Sequence, residues 1–360
     1  MPRRRRRAED QRLSRWRHLP LVLLFVLGGL AGAALWAYAP DLPRDYLIER
    51  YGQPPSTFVD VGGTRVHLRD EYAGKAGKPG AMPLLLVHGS LGSLHQWEGW
   101  VGELADRYRL ISVDLPGHGL TGPWTRGDYS IEAYADFIEV LADTLGLDRF
   151  AIAGHSMGGA VAWSFAATRP ERVSHLILVD ASAYPREGEA PWRTRLARAP
   201  LIGDLAISFK PEWMVRRALR EIYADPAMVT AERVRRFGEL QRFPGNRRAT
   251  LQRLRNQEPL DPTPIKRLDV PTLIIWGAQD RWVPIADAFR LQNDIKGARL
   301  AIFEKPGHNP MEEDPTGTAA AVAAFLPTEP PAPLPAPTPP SGDSSNADQL
   351  VAPAIVPEKE

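Results

Sequence analysis

The 360-residue chain is expected to adopt an α/β fold, a mostly parallel β-sheet flanked by helices. Three observations carry this expectation. Six short apolar runs, at 84–88 (LLLVH), 109–113 (RLISV), 150–154 (FAIAG), 175–179 (HLILV), 272–276 (TLIIW) and 299–303 (RLAIF), are each bounded by turn residues. That is the pattern of strands buried on both faces of a parallel sheet. Helical stretches fall between them: over 130–145, Ile131, Tyr134, Ile138, Leu141 and Leu145 recur at three- and four-residue spacing. Finally, the run at 150–154 passes directly into the small-residue segment HSMGGAV, a strand entering a helix through a very tight turn.

The elements before the sheet differ in kind. Residues 1–18 form a basic segment, with eight arginines in the first 17 residues against Glu9 and Asp10. Residues 19–39 carry no charge and as a helix would span roughly 31 Å, the thickness of a bilayer's hydrocarbon core. Trp16, Trp36 and Tyr38 lie near the ends, where amphipathic rings favour the interface. The expectation is a single transmembrane anchor with its arginine-rich end in the cytoplasm and the rest of the chain outside it, in a periplasmic or other extracytoplasmic space. Ala37-Tyr38-Ala39 also has the A-x-A form of a signal-peptide cleavage site, which would give a secreted domain. The length of the apolar run and Pro40 directly after that site favour the uncleaved anchor. Gly28 and Gly32 form a GxxxG pair of the kind that brings two such helices together.

Residues 40–56 read as a proline-punctuated linker, at most about 60 Å long when extended. Residues 57–61 and 65–72 flank Gly62-Gly63 and read as a hairpin. The core is expected over 57–182 and 263–326. Between them, residues 183–262 contain no good strand but plain helical periodicity around Trp213, Val215, Ala218, Leu219 and Ile222, so they read as an inserted helical cap. This insertion holds 16 Arg and Lys against 10 Asp and Glu. Residues 327–360 are proline-rich with few large apolar groups and are expected to be an extended, disordered tail.

Net charge is +1 and there are no cysteines. Nucleic acid is not an expected partner, and disulfides, thiolate metal sites and a cysteine nucleophile are excluded. No metal-ligand spacing and no phosphate-cradling glycine loop is present, so no cofactor is expected.

The segment G-H-S-M-G places Ser156 between Gly154 and Gly158 at the carboxyl end of a strand and the head of a helix. Such a turn holds a hydroxyl out for chemistry. A serine nucleophile needs a base, and the base needs an orienting acid. Asp280 lies just beyond the strand at 272–276 and His308 just beyond that at 299–303, at the same sheet edge as Ser156. His308 would act as general base and Asp280 would fix its tautomer. Asp180, after the strand at 175–179, is the rival acid. The backbone N–H groups of Met157 and Ser90 are the candidate oxyanion donors. His95 and Trp97 follow that loop and are candidate pocket residues. Asp114, His118, His88 and His155 read as structural.

Five motifs in this order, His88-Gly89, DLPGHG at 114–119, GHSMGG at 154–159, GAQD at 277–280 and Gly307-His308, resemble those of the α/β-hydrolase family, over about residues 57–326. The resemblance implies an acyl-enzyme route, with the insertion as the cap above the active site. Members with an aspartate nucleophile are less similar, because position 156 is serine. The HGGG oxyanion motif of many lipases is replaced by His88-Gly89-Ser90-Leu91. The expected activity is therefore hydrolysis of a small, ester-like molecule, a carboxylic ester of a small or medium apolar acid. Carbon–carbon hydrolysis of the meta-cleavage type and amide or lactone hydrolysis are the enzymatic alternatives. A non-catalytic binding protein, with the proline-rich tail as its docking element, is the alternative of another class.

Overall fold

Eight strands form one sheet in a computed structural model of the chain, which describes residues 37–72, 81–185, 192–209 and 211–330, together with 23–29, 32, 188 and 332. They are β1 (Ser56–Val61), β2 (Thr64–Glu71), β3 (Pro83–Val87), β4 (Arg109–Val113), β5 (Phe150–His155), β6 (Val173–Val179), β7 (Thr272–Gly277) and β8 (Arg299–Phe303). Spatial order is β1-β2-β4-β3-β5-β6-β7-β8. The β1–β2 hairpin and the β2–β4 pair are antiparallel, and all later pairs are parallel. Gly62 and Gly63 make the hairpin turn at φ +57° and +79°, two left-handed residues that match the twist of the strands they join. The strands begin within two residues of where the apolar runs place them. β3, β5, β6 and β7 are buried along almost their whole length, which is why continuous apolar runs marked them so clearly.

Helices cover both faces. On one, α3 (Ile131–Thr144) and α4 (Met157–Thr168) pack with Tyr134, Ile138, Leu141, Val161 and Phe165 against Leu85, Ile152 and Leu178. The Ser130 hydroxyl caps α3 by accepting from the Ala133 N–H at 3.2 Å. On the other face, α2 (Glu98–Leu104) and α12 (Pro315–Phe325) bring Trp100, Leu104 and Val322 onto Leu84, Ala153 and Ile177. α10 (Ile285–Asp294) follows β7, and the short α11 (Pro310–Glu313) precedes α12.

Between β6 and β7 the chain builds α5 (Trp192–Arg198), α6 (Ile202–Ala206), α7 (Glu212–Ile222), α8 (Ala231–Gln241) and α9 (Asn246–Asn256), with no strand among the described residues. Val215, Leu219, Tyr223 and Val234 give this part its own small core.

The linker is corrected by the structure. Residues 44–51, expected to belong to a spacer, form helix α1 (Arg44–Tyr51), and Leu47 is fully buried with Leu120, Leu240 and Phe243. The segment before it is held as well: Leu42 N–H donates to Arg242 O at 2.8 Å, and Arg247 pairs with Asp41 at 2.6 Å. Proline punctuation hid an apolar set, Leu42, Leu47, Tyr51 and Phe58, that docks on the insertion.

The basic segment 1–18, residues 19–22, 30, 31 and 33–36 of the anchor expected over 19–39, and nearly all of the tail beyond 330 lie outside the described residues. Among the described residues no helix is long and apolar enough to cross a membrane. Residues 23–29 are helical and exposed.

Leu47→Ala should lower stability by about 2–5 kcal/mol, the cost of emptying a closed apolar site. A residue in a free spacer would cost nothing, and urea denaturation monitored by circular dichroism separates the two.

Candidate active site

Ser156 sits where β5 turns into α4, with φ +52° and ψ −115°. A serine pays for that left-handed backbone, so the surroundings must hold it. They do so by close approach. A Cβ on Gly154 would lie 2.1 Å from the Gly158 carbonyl oxygen, and one on Gly158 would lie 2.3 Å from that of Val87. Only glycine fits either position. The Ser156 N–H donates to Val179 O, and its carbonyl accepts from Ser182 N–H, both at 3.0 Å, which latches the turn to the end of β6.

His308 follows β8 and Asp280 follows β7, and the sheet twist brings both to Ser156. The Ser156 hydroxyl lies 3.0 Å from His308 Nε2, and His308 Nδ1 lies 2.8 Å from Asp280 Oδ2. With Nδ1–H donating to the carboxylate, Nε2 is left to accept the hydroxyl proton. Asp280 is itself fixed, its Oδ1 accepting from the Trp282 N–H at 2.6 Å and the Val283 N–H at 3.1 Å. The His308 backbone is tied on two sides. Its N–H donates to Ile222 O at the end of α7 (2.9 Å), and its carbonyl accepts from His155 Nε2 (2.7 Å). Burial, reinforced by the neighbouring His308, holds His155 well below the usual imidazole range, so it is a neutral donor. His155 is thus more than a packing residue.

Asp180 reaches the same place without touching His308 in the way Asp280 does. It is fully buried, has φ +42°, and accepts the Gly277 N–H at 3.1 Å through Oδ1. Oδ2 has no protein donor. Burial first, and then the Asp280 carboxylate, push its pKa well above the carboxylate range. In its protonated form it donates rather than competes. Polar atoms of Asp180, Asp280 and His308 lie within 4.8 Å of one another. A metal ion would have to displace these contacts, since His308 commits one ring nitrogen to Asp280 and the other to Ser156.

The loop after β3 brings Ser90 to the same cavity, and Met157 opens α4, so both sequence-predicted oxyanion residues border the Ser156 region. The Ser90 hydroxyl accepts from Arg253 Nη2 on α9. Arg253 is only 9% exposed, and among the described residues no carboxylate pairs with it. An accepting hydroxyl keeps its own proton to donate, and Ser90 lines the cavity. Gln96 Oε1 accepts the Gly89 N–H at 3.1 Å and fixes the loop from behind. Asp114 is buried beneath it. Burial would raise that carboxyl, but His67 at 2.6 Å holds it below the usual range, and it accepts from the Leu94 N–H at 2.7 Å. His88 donates from Nδ1 to Gly89 O (2.7 Å) and accepts the Leu115 N–H at Nε2 (3.0 Å). Asp114 and His88 are structural, as the sequence suggests.

Above Ser156 lies a cavity of about 130 Å³, walled by Leu219, Ile222, Tyr223, Phe237, Leu240 and Trp282. Most of its roof belongs to α7 and α8. His95 borders it. Burial, then Arg236, pushes His95 down to about 3, so it is neutral and accepts from Arg69 Nη2 at 3.3 Å. Trp97 is not in the cavity: it is fully buried on the other side of the loop, its ring 5.0 Å from that of Trp100. The 3₁₀ turn Leu94–Trp97 rotates its indole into the core. Glu312, which also lines the cavity, accepts from Tyr223 Oη at 2.7 Å and from Asn309 Nδ2 at 2.6 Å. Arg253, Gln96, Tyr223 and Glu312 were not singled out in the sequence, because none belongs to a motif and Arg253 and Tyr223 act through partners far away in the chain.

A family model described as alpha/beta hydrolase fold matches residues 82–315. An uncharacterised protein of Mycobacterium tuberculosis is 30% identical over 304 residues, covering 78% of this chain and 83% of that protein. A monoacylglycerol lipase of Xenopus laevis is 29% identical over 267 residues, covering 69% of this chain and 77% of the lipase. The solved meta-cleavage product hydrolase of Pseudomonas fluorescens superposes with a TM-score of 0.64 at 25% identity, over 75% of this chain and 96% of that one.

The Asp180 environment has a consequence for stability. A carboxyl whose folded pKa is raised stabilises the fold fully at low pH. That contribution is lost as pH climbs above the unfolded value of about 4. Asp180→Asn removes the titration and keeps a donor toward Asp280. Urea midpoints for the variant should therefore gain on those of the parent as pH rises from acid to neutral. A variant that instead loses ground to the parent over that range would show that Asp180 is held as a carboxylate.

Proposed function

As the chain belongs to the α/β-hydrolase family and is a hydrolase, we propose that it cleaves carboxylic esters of small or medium apolar acids through a serine acyl-enzyme. The observation that carries this is the continuous relay from the Ser156 hydroxyl to His308 at 3.0 Å and on to Asp280 at 2.8 Å. Ser156 Oγ attacks the ester carbonyl as His308 Nε2 takes its proton. Asp280 stabilises the imidazolium so formed. The N–H groups of Met157 and Ser90 receive the oxyanion at the positive end of α4. His308 then returns the proton to the departing alcohol, activates a water against the acyl-enzyme, and resets the site. The apolar cavity takes the acyl chain, and α5–α9 act as the cap that sets its length.

The likeness to the meta-cleavage hydrolase supports a second reading, carbon–carbon hydrolysis of a vinylogous diketone at the same serine. Parallel assays of p-nitrophenyl esters and a diketone separate the two: turnover of the diketone alone sinks the ester reading.

For location, the reading is a single N-terminal anchor over 19–39 with the catalytic domain outside the cytoplasm. It is supported by the uncharged run, by the arginines that precede it, and by the exposed side chains of Leu23, Leu24, Phe25, Val26 and Leu27.

Ser156→Ala should reduce p-nitrophenyl butyrate turnover by at least about 10³-fold with the circular dichroism spectrum unchanged. A fluorophosphonate probe should label the parent and not the variant; an unlabelled parent would favour a binding protein. The two acids separate by the same substitution. Asp280→Asn should cost about 10³–10⁴-fold in kcat. Asp180→Asn should stay within about tenfold of the parent, because the amide still donates to Asp280. The reverse ranking would make Asp180 the acid of the relay.

A further inference from the structure

The exposed apolar side chains of the insertion are concentrated in one stretch. Leu196, Leu201, Ile202, Leu205, Trp213 and Met214 are 41, 82, 53, 64, 53 and 42% exposed. They occupy α5, the turn after it, α6 and the first turn of α7. Leu201 holds φ +64°, a left-handed conformation that disfavours L-residues, and its side chain is the most exposed of the six. A soluble surface gains nothing from such a ridge. Apolar patches of this kind mark a surface that is covered in use.

The position of the ridge indicates what covers it. The uncharged run 19–39 ends against the residues that follow α6. The Ala39 N–H donates to Ser208 O at 2.8 Å, Tyr38 bridges to Phe209 with rings 5.9 Å apart, and Arg247 Nη1 donates to both Ala39 O and Ile207 O. The apolar segment therefore leaves the folded domain beside the ridge. The same insertion carries the excess of basic residues, with Arg217 and Arg220 exposed on α7. The pattern is an apolar ridge with a tryptophan and flanking arginines, as in elements that lie in the headgroup region of an anionic bilayer. A second copy of the chain would set like charges against each other.

We propose that this ridge docks on the surface of a bilayer containing anionic phospholipid, holding the catalytic domain insertion-down against the membrane. α7 connects the two regions: Trp213 and Met214 at its start reach the bilayer, while Leu219 and Ile222 at its end roof the Ser156 cavity. Acyl esters dissolved in the bilayer then have a short apolar route into the site. The orientation rests on the reading of 19–39 as a membrane anchor, and the test reads the two separately.

Because the chain has no cysteine, one reporter can be placed at a time. Leu205→Cys on the ridge, Phe25→Cys in the expected anchor and Val140→Cys on α3 are each labelled with the fluorophore NBD in the full-length chain. Each is reconstituted into phosphatidylcholine–phosphatidylglycerol vesicles, with urea midpoints confirming the fold. At position 205, emission should shift to the blue, and doxyl-lipid quenching should exceed that at position 140 by roughly twofold or more. A water-like signal at 205 overturns the docking whatever position 25 reports. A blue shift at 205 without lipid quenching also overturns it, since a protein surface would then be the cover. Quenching at 205 with a water-like signal at 25 keeps the docking and removes the anchor.

Discussion

The structure depends on one unfavourable backbone conformation. Ser156 is held left-handed at the end of β5, and the arrangement around it exists to make that tolerable. Gly154 and Gly158 let two backbone segments come closer than any side chain would permit. β3 supplies the wall that Gly158 touches, and the end of β6 supplies hydrogen bonds on both sides of the serine. A parallel sheet buried on both faces is rigid enough to carry this strain, which explains why the most apolar strands, β3, β5, β6 and β7, surround the turn.

Around that point the polar groups are arranged by protonation state as much as by position. Asp280 has amide donors on one oxygen and an imidazole on the other, which suits a carboxylate. Asp180, a few ångströms away, is stripped of solvent and faces a like charge, which suits a carboxylic acid. His155 and His95 are neutral for similar reasons, one by burial beside His308 and the other by burial beside Arg236. The two carboxyls divide their roles through environment alone. Arg253 is the inverse case: a buried cation whose contact with Ser90 brings positive potential to the loop where negative charge is expected to gather.

Much of this was legible in the chain. Fully buried strands write themselves as unbroken apolar runs, and residues just beyond them must meet at one sheet edge, so Ser156, Asp280 and His308 could be brought together on paper. The choice between Asp180 and Asp280 needed loop geometry, because both follow central strands. Trp97 was misplaced because a short 3₁₀ turn decides which way an indole points, and no periodicity records that. Helix α1 was missed because the prolines on either side of it advertise a spacer while Leu47 does the packing. The pairs Arg253–Ser90 and Tyr223–Glu312 lie 163 and 89 residues apart, and nothing local marks either member.

The bond from the His308 amide to the Ile222 carbonyl joins the roof of the cavity to the proton acceptor beneath it. The end of the roofing helix and the backbone that carries the imidazole are therefore held together. A displacement of α7 is thereby passed straight to the residue whose ring faces Ser156.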